Sequence, residues 1–146
     1  MVRHDGVTKS EIFYYAINLL PAPMWAAWIG APKSAAARYF ASALWPWAIL
    51  SVIYVVLIFL AMFVFTGPQE ADIFSLHGLM LIFTNPVTML AGWQHYLCFD
   101  AFVARWMVND APDAGYKLSP VLLLTLFFGP CGMLLYLALR PVLRRA

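Results

Sequence analysis

Polar positions fall into a few short clusters along this chain, and the stretches between them stay apolar for about the 20 residues that a helix needs to cross some 30 Å of hydrocarbon. The pattern predicts four transmembrane helices, over about residues 11–30, 44–65, 86–108 and 118–139. In the first, EIFYYAINLLPAPMWAAWIG, Pro21 and Pro23 each remove a backbone donor, so the helix should kink or break near its midpoint, just beyond Asn18. Trp45 and Trp47 open the second as interfacial anchors, with Pro46 tolerated in the first turn. After it, IFSLHGLMLIFT is too short to cross before Asn85 and Pro86 interrupt it, and it reads as a short interfacial helix carrying His77. The polar loop NDAPDAGYK leads into the fourth. The fold class is therefore all-α: one integral membrane domain over residues 1–146, with four transmembrane helices and a short interfacial helix between spans two and three.

Composition agrees with the pattern. The chain is 64% hydrophobic and 11% charged, with a mean hydropathy of +0.79, which leaves too little polar surface for a water-soluble domain. A net charge of +2 provides no basic surplus for a phosphate backbone, so no nucleic-acid partner is expected. Cys98 and Cys131 both fall within spans, where they read as small apolar side chains. The first ten residues, MVRHDGVTKS, lack the apolar core of a signal peptide and the length of a transit peptide, and this reads as a prokaryotic or already mature chain. With four spans both termini share one side. That side holds Arg3, Lys9, Arg140, Arg144 and Arg145, against Lys33, Arg38, Arg105 and Lys117 opposite, which favours cytoplasmic termini in a bacterial inner membrane.

The third span carries the candidate chemistry, His95, Asp100 and Arg105 within AGWQHYLCFDAFVARW. A helix centred near Leu97 puts His95 and Asp100 within roughly 5 Å of the midplane, and Arg105 about 12 Å toward one interface. An Asp at that depth costs roughly 2.5–3.5 kcal/mol on insertion scales, so it calls for a partner or a purpose. Asp100 is rotated about 140° from both His95 and Arg105, so the three do not make one stripe. Partners from other spans are Asn18, Thr125 and the tyrosines 14, 15 and 54. Trp93 and Tyr96 lie on the face of Asp100 as aromatic walls, and the combination suits an extended apolar ligand with a polar end. Two readings stay open for Asp100 and His95, a ligand site or a lock between helices; Arg105 also fits an anchor at the end of a span, and His77 an interfacial residue. FFGPCGMLLY in the fourth span is open likewise, because Gly129, Pro130 and Gly132 make either a packing kink or a groove.

Three histidines, one of them in the N-terminal tail, are too few for a membrane iron oxygenase, and no zinc spacing, phosphate loop or nucleophile elbow occurs; no metal is expected. Spans two and four lack the polar face of a channel.

Trp93, His95, Leu97, Asp100, Phe102, Arg105 and Asp110 in GWQHYLCFDAFVARWMVND, the following PVLLLTLFFGPCGMLLYLALR and the earlier NLLPAPMWAAWIGAPKS together resemble the abscisic-acid-deficient-four-like family, over most of residues 15–140. Plant members of that family are required to make neoxanthin from violaxanthin. The resemblance implies a cofactor-independent carotenoid isomerase that opens an epoxide by general acid and base catalysis. Asp100 would be the acid or base, His95 its counterpart, and Arg105 the stabiliser of negative charge, with Trp93, Tyr96, Asn18, Thr125 and His77 contacting the substrate. The expected partners are a carotenoid or other isoprenoid ligand and membrane lipids, with a homo-oligomer left open. The alternative is a non-catalytic carotenoid- or lipid-binding subunit of a membrane complex.

Overall fold

The computed structural model describes residues 9–64 and 68–145, and every regular element among them is helical. Helices α1 (Lys9–Leu19) and α2 (Ala22–Gly30) divide the first apolar stretch at Leu20 and Pro21, where the break was expected. Pro21 caps α2 and Pro23 sits in its first turn, where a missing N–H removes no intrahelical bond. The link after α2 holds a helix that hydropathy does not predict, α3 (Ala35–Ser42). Ser34 starts it by accepting from the N–H of Ala37 at 3.0 Å.

Helix α4 (Trp45–Phe63) is unbroken; residue 65, the last of the expected span, and residues 66–67 of the turn after it lie outside the described residues. The short helix α5 (Leu76–Ile82) is capped by Ser75, which accepts from the N–H of Gly78 at 2.9 Å. Helix α6 (Pro86–Asp110) follows, capped by Asn85, whose side chain accepts from Val87 N–H at 2.8 Å. Its 25 residues run for about 37 Å at 1.5 Å per residue. The segment Lys9–Gly30 and helix α4 are long and apolar enough to cross a membrane, with mean hydropathies of 1.2 and 2.4. Along α4, Ile49, Val52, Val56, Phe59 and Phe63 face outward, an apolar surface of the kind that water-soluble folds bury.

Helix α6 is the axis against which the others are placed. Helix α4 packs antiparallel to it: Leu57 lies with Leu90 and Ala91, Leu50 beside Gln94, and Trp47 against Phe102. The α1–α2 segment runs the other way, from Ile17 beside Leu90 to Ile29, whose carbonyl accepts from Ser119 at 2.8 Å.

The last apolar stretch departs from expectation. Residues 118–139 do not form one helix; they form α7 (Ser119–Phe128) and α8 (Pro130–Leu143), folded back on each other at Gly129. Gly129 has φ = 29°, a conformation that side-chain-bearing residues rarely adopt, and Pro130 then starts α8. Gly132 lets the two helices close, because a Cβ there would overlap the backbone nitrogen and Oγ1 of Thr125. At 1.5 Å per residue α7 is about 15 Å long and α8 about 21 Å. The hairpin brings Arg140 back to Asp110, where Nη2 and Oδ1 are 2.7 Å apart. A fourth crossing would have put those two residues at opposite ends of the bundle. Four spans would have placed the first and last described helices' outer ends together; instead Lys9 lies at the α6 start and Arg144 at the α6 end.

Candidate functional site

Trp93, Tyr96, Leu97 and Asp100 fall on one side of α6 at 100° per residue, the side that faces α2 and the hairpin turn. With Trp25, Leu126, Phe128, Gly129 and Pro130 they line a cavity of about 320 Å³. Asp100 is half-buried, and its carboxyl lies against Gly129, where a Cβ would stand 2.6 Å from Oδ1. Glycine is thus required at the turn by backbone angle and by space together.

A second cavity of about 500 Å³ adjoins the first, sharing Trp25, Leu97 and Leu126 and reaching Asn18 and Pro21 at the α1–α2 break. Asn18 fixes an aromatic wall. Its Oδ1 accepts from the Trp93 indole N–H at 3.1 Å, while its Nδ2 donates to the Tyr14 carbonyl at 2.7 Å. Helix breaks, carboxyl and aromatic rings therefore converge on one groove.

The other residues singled out from sequence lie elsewhere. His95 is exposed on the α4 side, its ring stacked on Phe99 at 4.5 Å and tilted against Tyr54 at 5.6 Å. Arg105 lies over the Trp47 ring at 5.2 Å and donates to the Ser42 carbonyl at 3.4 Å. Thr125 is fully buried inside the hairpin, donating to the Val121 carbonyl at 2.9 Å. His77 is exposed on α5. Asp100, Trp93, Tyr96 and Asn18 are brought together, and His95, Arg105, Thr125 and His77 are not. Among the described residues no three His, Cys, Asp or Glu side chains gather closely enough to hold a metal ion.

Comparison with known proteins bears on this groove directly, since the family model described as ABA DEFICIENT 4-like matches residues 12–136, a range that contains every residue lining it. The chain belongs to the ABA DEFICIENT 4-like family. It is similar to Protein ABA DEFICIENT 4, chloroplastic, of Arabidopsis thaliana, with 25% identity over 152 residues that cover 97% of this chain and 68% of that protein. No solved structure matches it.

Two polar groups of this ABA DEFICIENT 4-like chain were not singled out as functional from its sequence. Gln94 is fully buried and donates through Nε2 to the Leu50 carbonyl at 2.8 Å, tying α6 to α4. Asp110 accepts from Arg140 Nε and Nη2, each at 2.7 Å, and from the Tyr136 hydroxyl at 2.5 Å. Trp106 closes the cluster, its ring edge-on to Tyr136 at 5.2 Å and under Arg140 at 5.9 Å. Gln94 carries no charge to mark it in a hydropathy pattern. The Asp110–Arg140 pair was hidden by the four-span reading, which separates its members by a bilayer.

Proposed function

We propose that the chain is a membrane-embedded isomerase that draws the oxygenated end of a carotenoid, or of another long isoprenoid, into the cavity beside Asp100. The observation that carries this reading is one carboxyl group set among Trp25, Trp93 and Tyr96 at the closed tip of the α7–α8 hairpin. Embedding in a bilayer is supported by the two helical segments able to cross one and by the outward apolar face of α4. Carotenoid chemistry is supported by membership of the ABA DEFICIENT 4-like family, which is linked in plants to neoxanthin biosynthesis. The host membrane is one that holds carotenoids, of which a bacterial inner membrane is one kind.

Flat indole and phenol rings suit a flat, apolar polyene, and the adjoining cavity toward Asn18 extends the groove beyond the reacting end. Epoxide opening to an allenic alcohol moves atoms within one molecule. The Asp100 carboxyl gives its proton to the epoxide oxygen as a carbon–oxygen bond breaks. The carboxylate so formed then takes a proton from the neighbouring carbon, whose electron pair becomes the new carbon–carbon π bond. No redox cofactor is consumed, and one carboxyl serves both steps, so His95 and Arg105 act outside the cavity, on the packing of α4.

A second reading, a non-catalytic carotenoid- or lipid-binding subunit, is favoured by one observation: the Asp100 carboxyl also packs on the hairpin turn at Gly129. Expression in a carotenoid-producing bacterium, followed by chromatography of its pigments, separates the two. Catalysis yields a new pigment isomeric with one already present, and binding yields co-purified but unchanged pigment. Neither change would contradict both readings.

A further inference from the structure

We infer that the chain crosses the bilayer three times, with α7–α8 as a re-entrant hairpin, and that its basic end lies at the negatively charged, cytoplasmic-type leaflet in contact with acidic lipid headgroups. The inference rests on the membrane reading above and not on the identity of the ligand. Three observations carry it. The Asp110–Arg140 ion pair at 2.7 Å holds the end of α8 at the end of α6. The helices α7 and α8, about 15 and 21 Å long, are each shorter than the roughly 30 Å of hydrocarbon. The irregular backbone at the hairpin tip lines a cavity, the setting in which non-helical chain is tolerated at membrane depth.

Once the hairpin folds back, the charges sort by end. Of the eight Lys and Arg among the described residues, seven (Lys33, Arg38, Arg105, Lys117, Arg140, Arg144 and Arg145) sit at the end marked by the α6 C-terminus, and Lys9 alone at the other. The contacts fix these positions. Lys33 reaches Gly115, Arg38 donates to the Lys33 carbonyl, Arg105 to the Ser42 carbonyl, and Arg140 and Arg144 flank Asp110. Acidic residues distribute the opposite way, with Asp110 and Asp113 at the basic end and Glu11, Glu70 and Asp72 at the far one. The positive-inside rule counts Lys and Arg in short loops and near span ends, and here it favours one side decisively. Lys33, Arg38, Lys117, Arg144 and Arg145 are exposed, so their charge faces the headgroups, which attract such cations.

The test is the side from which single cysteines are labelled. Cys98→Ala and Cys131→Ala provide a background, and Ser10→Cys, Asp113→Cys and Arg145→Cys are added one at a time in the full chain. Carbonate extraction first establishes that each variant is membrane-integral; extraction of all of them would overturn the membrane reading and the three crossings with it, whereas wrong-sided labelling of an integral chain overturns the arrangement alone. Bacterial spheroplasts and inverted vesicles are then treated with a membrane-impermeant maleimide. The expected result is labelling of Asp113→Cys and Arg145→Cys in inverted vesicles only, and of Ser10→Cys in spheroplasts only. Labelling of Ser10→Cys and Arg145→Cys from the same side would overturn the three-crossing arrangement, and the reverse pattern would overturn the orientation. Arg144→Gln combined with Arg145→Gln, Lys33→Gln and Arg38→Gln is expected to give mixed labelling of Ser10→Cys. Unchanged one-sided labelling would overturn the role of these cations.

Discussion

The Asp100 carboxyl rests against the α-carbon of Gly129, with Oδ1 2.6 Å from where a Cβ would stand. That contact joins the two features that make the site: a carboxyl half-way along α6 and a turn that reverses the chain between α7 and α8. The turn is narrow because Gly129 adopts φ = 29° and because Gly132 lets the two helices touch.

Gly129→Ala should therefore lower the thermal midpoint of the purified protein in detergent. The positive-φ backbone, at φ = 29° and ψ = −88°, alone costs an alanine about 1–3 kcal/mol, and displacement of the carboxyl adds to it. Gly132→Ala should cost more, since its new methyl meets Thr125 backbone and not only a movable side chain. Differential scanning fluorimetry of the two variants checks the order; equal or unchanged midpoints would count against the tight hairpin.

Asp110 supplies a pH dependence with a definite sign. The Arg140 guanidinium first, and the Tyr136 hydroxyl second, hold its carboxyl well below the usual carboxylate range. Unfolded Asp titrates near pH 3.9, so the pair's stabilisation is complete above about that value and is lost as the pH falls toward the lower folded value. Thermal midpoints measured from neutral pH to about pH 3 should decline in the parent protein. Asp110→Asn should begin lower at neutral pH and decline less; parallel curves would contradict the assignment.

Gln94 makes a sharper case for geometry over polarity. Its amide donates to the Leu50 carbonyl, while its Oε1 is buried without a hydrogen-bond partner among the described residues. Interhelical hydrogen bonds in membranes contribute about 0.6 kcal/mol on average, and Gln94→Leu also removes the unpaired oxygen. The expected loss is under about 1 kcal/mol, whereas Gln94→Ala, which opens a void, should cost about 2 kcal/mol or more. Unfolding in detergent of both variants distinguishes the two costs.

His95 and Thr125 are predicted to be dispensable for turnover. His95 is engaged by Phe99 and Tyr54, and the Thr125 hydroxyl by Val121. His95→Phe and Thr125→Val should each retain pigment conversion within about threefold of the parent, a change worth under 1 kcal/mol. A complete loss in His95→Phe, with the protein still present in the membrane, would return the histidine to the site.

Which parts of the molecule were legible in its sequence follows from what each signal can carry. Hydropathy and proline placement found the long helices and the break at Pro21, because the first depends on composition and the second on a missing donor. The fold-back at Gly129 escaped, since FFGPCG is uniformly apolar and a hydropathy window does not see a positive φ. Its consequence, Arg140 beside Asp110, escaped with it. The grouping of Trp93, Tyr96 and Asp100 was readable from helical spacing alone. The same spacing already set His95 and Arg105 about 140° away; their shared depth in the span and the chemistry implied by the resemblance had drawn them into one site. Helix α3 was passed over because AAARYFAS is short and partly polar, although Ser34 marked its start.

The account stands most directly on the Asp100 carboxyl acting in its cavity, and Asp100→Asn tests it with almost no change of shape. Pigments from a carotenoid-producing host expressing the parent or the variant would be compared at matched membrane levels of protein. The account predicts that the isomerised pigment made by the parent is absent with Asp100→Asn, while the variant still co-purifies with pigment. Undiminished product from Asp100→Asn would contradict it.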